Sequence, residues 1–112
     1  MTPDAAHVAH ILECIRLIDE FTVDGRDSFD NDIKTRLALT RLLHELSESA
    51  MRLSPAIQEA NPHVPWKDIR DFRHVVVHGY LGLDENRIWK VISESLPPLK
   101  QHIQRIQQQL PS

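Results

Sequence analysis

With 112 residues, the chain has room for one hydrophobic core and not for two, so a single domain over 1–112 is expected. Three glycines and long aliphatic-plus-charged runs point to an all-α fold, and 5% aromatic residues leave the core to Leu, Ile, Val and Ala. A net charge of −3 excludes a broadly basic nucleic-acid binder, and the single Cys14 excludes an internal disulfide. No apolar run approaches the roughly 20 residues that cross a bilayer, and no signal peptide is read, so no membrane association and a cytoplasmic location are expected.

The first helix opens at Thr2-Pro3-Asp4, with an N-cap hydroxyl, a proline at the first helical position and an acid in the first turn. Val8, Ile11, Leu12, Ile15 and Ile18 form its core stripe at helical period, with Phe21 a little off it. Cys14 lies among Ile11, Leu12 and Ile15 and reads as a buried small hydrophobe. His7 and His10 fall on or beside the exposed side.

The stretch from Thr22 to Asp30, with Gly25, reads as a loop. A cap near Ser28 or Asp30 then starts a long second helix running to about Leu53, with Ile33, Leu37, Leu42, Leu43, Leu46, Ala50 and Leu53 assigned to the core. Pro55, Pro62 and Pro65 punctuate a broken region with one short helix at 56–60. Pro65 begins the next helix, since its fixed φ suits that position and its missing amide has no helical partner there.

That next helix is the chemical centre of the chain. Ile69, Phe72, Val76 and, on the flank, Val75 recur at three- and four-residue steps. The other faces carry Arg70, Asp71, Arg73, His74 and His78. Arg73 and His78 are five positions apart, roughly 140° around the helix and about 7.5 Å along it, on either side of one groove. Gly79 is expected to end the helix. A turn at Leu81-Gly82-Leu83 leads to Asp84 as an N-cap, and Ile88, Val91, Ile92 and Ser95 follow with Trp89 nearby. Pro97-Pro98 must kink or interrupt that helix. The last segment, Leu99 to Leu110, sets Leu99, Ile103, Ile106 and Leu110 against a Gln-rich face. The expected architecture is an up-down bundle of four to five helices.

Arg73-x4-His78-x-Tyr80 resembles the Arg-x4-His-x-Tyr signature of HepT-type toxins, a branch of the all-helical HEPN superfamily. The surroundings extend the resemblance. Asn61-Pro62-His63-Val64-Pro65-Trp66 is similar to the segment preceding the motif helix in that family. Leu81-Gly82-Leu83-Asp84 with Ile88-Trp89 is similar to the segment following it. Leu46-Ser47-Glu48-Ser49 resembles the family's Ile-Gly-Glu-Ala, with serine where glycine is usual. His74 stands where the family commonly has asparagine.

The resemblance implies the toxin of a type VII-like toxin–antitoxin pair, acting as a metal-independent endoribonuclease on transfer or messenger RNA without a cofactor. Its composite site would lie at a homodimer interface. Transesterification needs a proton carrier with a pKa near 7, the role of His78, and a fixed positive charge on the phosphoryl oxygens, the role of Arg73. His74 and Asp71 would support them, and Glu48 would orient Arg73 through an ion pair or be solvated. Lys67, Arg70, Arg87 and Lys90 could supply a local RNA-binding patch. From charge alone the better reading is a solvated face, interleaved with Asp68, Asp71, Asp84 and Glu85. The resemblance also implies AMPylation of Tyr80 by a minimal nucleotidyltransferase antitoxin (MntA-like), whereas residue chemistry alone allows Tyr80 to pack on Trp89. Two further readings stay open: a zinc site on His74-x3-His78 with Asp71 or His63, and a non-catalytic module that binds a nucleotide or a nucleotidyltransferase.

Overall fold

Helix α1 (Pro3–Phe21) begins where the cap predicts: the Ala5 amide donates to Thr2 Oγ1 at 3.1 Å, with Pro3 in the first turn. The computed structural model describes residues 2–80 and 85–111, with the backbone alone at 79 and 80. Asp4 does more than favour the helix dipole. Its carboxylate accepts from the Ser54 amide at 2.9 Å and the Ser54 hydroxyl at 2.8 Å, fastening the start of α1 to the short helix that opens at Pro55. Val8, Ile11, Cys14, Ile15 and Ile18 are buried, Leu12 is half-buried and Phe21 is exposed.

The stretch expected as a loop contains a further helix, α2 (Arg26–Asn31). Gly25 precedes it at φ +80°, a backbone region that a side chain would strain. Burial of Phe29 organises this turn: its ring is fully buried and lies 5.6 Å from that of Trp89. A break at Asp32 then separates α2 from α3 (Ile33–Met51), so no single helix starts at Ser28 or Asp30. Asp32 caps α3 by accepting from the Lys34 amide at 3.0 Å and the Thr35 hydroxyl at 2.9 Å. Those two bonds, the Thr35 hydroxyl first, hold its carboxyl below the usual aspartate range.

On α3, Leu39, Leu42, Leu43, Leu46 and Ala50 are buried, with Leu53 just beyond the helix. Ile33 and Leu37 are not part of this core; they are 62% and 48% exposed. They sit about 120° and 160° around the helix from Leu39, so the expected stripe had merged two faces.

Helix α4 (Pro55–Ala60) is capped by Ser54. Asn61, 2% exposed, ends it by donating from Nδ2 to the Ile57 carbonyl at 2.8 Å. Its own carbonyl accepts from Trp66 Nε1 at 3.0 Å, fixing the approach to α5 (Trp66–Tyr80). Pro65 is the residue just before this helix rather than its first, and its carbonyl accepts from the Ile69 amide at 3.1 Å. Gly79 does not end α5, which continues to Tyr80. Ile69, Phe72, Val75 and Val76 are buried as their spacing requires. The expected turn at Leu81-Gly82-Leu83, the Asp84 cap and any packing of the Tyr80 ring lie outside the described residues.

After α6 (Glu85–Lys90), the chain widens into a π turn (Val91–Ser95) and runs directly into α7 (Leu96–Gln109). The interruption expected at the two prolines is this π turn, which lies just ahead of them. An α-helix would press Pro97 and Pro98 onto the carbonyls of Ser93 and Glu94 and leave those carbonyls unbonded. The π turn instead carries the Leu96 amide to the Val91 carbonyl, five residues back, while Ser93, Glu94, Pro97 and Pro98 stay exposed to water.

α1 packs on α3 and α7, α3 on α5, and α5 on α6, so the continuous run from α6 to α7 closes a ring of four long helical segments. α3 and α5 run antiparallel: Ser47 meets Ile69 near one end, and Arg36 meets Glu85 near the other. The fold is an all-α bundle, as expected. Among the described residues, no helix is long and apolar enough to cross a membrane.

Candidate functional site

The four apolar residues of α5 occupy one arc, turned into the core, and leave the rest of the helix facing outward. Lys67, Arg70, Arg73, His74, Val77 and His78 are all exposed on that outward face. Helical spacing puts Arg73 at its α3 edge, His78 about 140° away toward the α6 edge, and Arg70, His74 and Val77 between them. The expected groove between Arg73 and His78 is therefore a solvent-facing strip of the helix itself.

Two contacts with α3 set the position of Arg73. Ser47 is fully buried, and its hydroxyl donates to the Ile69 carbonyl at 2.9 Å, one turn before Arg73. A small side chain at position 47 lets the helices approach closely, and its hydroxyl then ties them. Glu48, the next residue, forms an ion pair with Arg73, Oε1 to Nη2 at 3.1 Å. Of the two options open for Glu48 in the sequence, the ion pair is the one present. The Arg73 side chain remains 60% exposed, and a guanidinium carries further donors that a ligand could use.

Asp71 lies about 160° around the helix from Arg73, on the side of His78. With Asp68, Phe72, Val75, Arg87, Lys90, Val91 and Ser95 it lines a cleft of about 260 Å³ between α5 and the α6–π run. Asp71 therefore neighbours two of the expected RNA-binding residues, Arg87 and Lys90, rather than Arg73. Lys67 and Arg70 belong to the outward strip of α5.

The alternative zinc set does not assemble among the described residues. His63 stands edge-on to His102, ring centroids 5.1 Å apart, and no metal-like trio forms around His74 and His78. Sequence reasoning missed the Ser47–Ile69 bond. Its signal was a small polar residue interrupting the large aliphatic face of α3.

A family model described as Ribonuclease HepT-like matches residues 11–106. A protein named "Probable ribonuclease HepT" from Thermococcus cleftensis is 30% identical over 101 residues, which cover 89% of this chain and 92% of that protein. A Methanocaldococcus jannaschii protein provisionally named an RNase is 31% identical over 100 residues, 88% of this chain and 92% of its own length. A second protein of that organism, named for a gamma-glutamylcyclotransferase and provisionally for an RNase, is 31% identical over 105 residues. This chain corresponds to 93% of itself but only 47% of that relative, about half its length. No solved structure matches the chain. The motif strip, its α3 support and a family match spanning most of the bundle converge: the chain belongs to the Ribonuclease HepT-like family.

Proposed function

We propose that this chain is a cytoplasmic, homodimeric endoribonuclease toxin that cleaves RNA without a metal ion, through Arg73 and His78. The observation that carries this reading is the outward strip of α5, where a guanidinium braced by Glu48 shares a face with an imidazole. The RNA 2′-hydroxyl loses its proton and attacks the adjacent phosphorus. The bond to the 5′-oxygen breaks, giving a 2′,3′-cyclic phosphate and, after that oxygen is protonated, a 5′-hydroxyl. Histidine carries the protons, and arginine holds the charge that grows on the phosphoryl oxygens.

One imidazole cannot readily serve both sides of one phosphorus, and a two-fold axis would bring a second Arg73–His78 pair opposite the first. Exposed Val77 beside the motif, with exposed Ile33 and Leu37 on the neighbouring α3, supplies apolar surface suited to such a dimer. His74 would support the proton transfers. Lys67, Arg70, Arg87 and Lys90 would hold the RNA backbone, with Asp71 orienting the cationic groups of the α5–α6 cleft. A minimal nucleotidyltransferase antitoxin would silence the toxin by joining the Tyr80 hydroxyl to the α-phosphorus of ATP, with pyrophosphate leaving. The anionic adducts would then neutralise Arg73 and obstruct the strip.

The test compares purified wild-type protein with His78→Ala on RNA in excess chelator, together with growth of cells expressing each. Cleavage that persists in chelator, leaves cyclic phosphate ends and falls by about 10²-fold or more in a folded His78→Ala is expected, with loss of toxicity. Cleavage indifferent to His78, or no cleavage at all by a protein that binds a nucleotidyltransferase tightly, would replace this reading with a non-catalytic binding module.

A further inference from the structure

Cys14 is the chain's only thiol, and the RNA chemistry above leaves it unused. It lies one turn after His10 on α1 and faces Glu45 on α3. His10 Nε2 is 3.6 Å from Cys14 Sγ and 3.9 Å from Glu45 Oε2, and the three donor atoms all lie within 4.8 Å of one another. No other such trio of His, Cys, Asp and Glu gathers among the described residues.

The two distances from His10 come close to edges of a metal-centred tetrahedron. Zinc bonds of about 2.3 Å to sulfur and about 2.0–2.2 Å to nitrogen and oxygen give an S···N edge of about 3.6 Å and an N···O edge of about 3.4 Å. The Cys14–His10 separation already has the first length. The second requires the Glu45 carboxylate to close by about half an ångström, within the swing of a flexible side chain. Arg41 engages the other oxygen, Oε1, at 3.4 Å, which leaves Oε2 turned to His10.

We infer that His10 Nε2, Cys14 Sγ and Glu45 Oε2 form a zinc site clamping α1 to α3, with water as the fourth ligand. The mixed nitrogen, sulfur and oxygen set suits a borderline-soft cation and disfavours calcium or magnesium, which take oxygen. The ion would arrive on the open side, where the His10 side chain is 46% exposed, while Cys14 is 1% exposed behind it. On binding, the Cys14 S–H bond breaks, its proton leaves to solvent, and the thiolate pair forms the metal–sulfur bond. His10 contributes the lone pair of an unprotonated Nε2, and zinc keeps its oxidation state. In the metal-free protein, burial first and then Glu45 and Glu13 push the thiol up to about 11, so it holds its proton at neutral pH. A cation reverses that balance by bonding the thiolate. Glu45 precedes Glu48 by one turn of α3, so the ion would brace the helix that positions Arg73 and need not touch RNA.

The test titrates metal-stripped protein with Co²⁺, then Zn²⁺, with Zn²⁺-dependent thermal stability as a parallel readout. Because Cys14 is the only cysteine, a thiolate-to-cobalt charge-transfer band reports this site alone. The expected result is a band saturating at one ion per chain, displaced by Zn²⁺, with Zn²⁺ raising the unfolding midpoint. His10→Ala and Glu45→Gln, at partly exposed positions that keep the fold by circular dichroism, should weaken Co²⁺ binding by at least about tenfold. The double variant His74→Ala/His78→Ala should retain the band. No band, a band indifferent to His10→Ala and Glu45→Gln, or a band lost with His74 and His78 would overturn the site.

Discussion

At the scale of single residues, the contact with most bearing on chemistry is Glu48 with Arg73. The pair is partly exposed, so its contribution to stability is about 1 kcal/mol or less. Its value lies in direction: Arg73 has many rotamers, and one carboxylate selects among them. Glu48→Gln should therefore leave the unfolding midpoint nearly unchanged and KM for RNA similar, while kcat falls by about tenfold or more. An unchanged kcat in the folded variant would remove Glu48 from the positioning role. The sequence made Arg73, His74 and His78 legible because a four-residue apolar pattern leaves few faces open. What it did not show is that Asp71 also borders a cleft with Arg87 and Lys90, because that cleft exists only through the packing of α5 on α6.

At the scale of elements, the seam between α3 and α5 governs where the motif strip stands. Ser47→Ala removes the bond to the Ile69 carbonyl, which still accepts within its own helix, and should cost about 0.5–1.5 kcal/mol in urea unfolding. Ser47→Leu should cost more, because the extra volume must force the helices apart. Equal stability in both variants would mean that position 47 does not set the spacing. Thr2, Ser54 and Asp32 each cap a helix by bonding a nearby amide, a strictly local event, yet of these three only Thr2, at the first helix, was legible as a cap in the sequence. The second was misread at its start because the turn around Phe29 is fixed by a ring far away in sequence, Trp89. Ile33 and Leu37 were misread because an apolar residue on an outward face has the same local signature as one in the core.

At the scale of the whole molecule, α7 carries a group that couples folding to acidity. His102 is packed against His63, and its Nδ1 is buried without a hydrogen bond. Burial first, then His63 and Arg105, hold its pKa below the ordinary histidine value. As pH falls past about 6.5, the unfolded chain gains this proton before the folded chain does. The contribution to stability is thus complete above that value and is lost progressively below it. Denaturant midpoints measured from pH 7.5 to 5 should decline for the wild type and decline less for His102→Gln. Parallel curves would assign the acid sensitivity to other groups.

The π turn ahead of Pro97 and Pro98 has a consequence for inheritance. A turn of this kind behaves as one residue spliced into an ordinary helix, and here the splice keeps Ile88, Ile92, Leu96, Leu99, Ile103 and Ile106 all buried. Losing a single codon between 91 and 95 would remove the surplus residue, and an ordinary α-helix could then join α6 to α7 with the apolar side of α7 still turned to α1. Relatives that dispense with the prolines are then free to delete that codon without any compensating change in the stripe of α7.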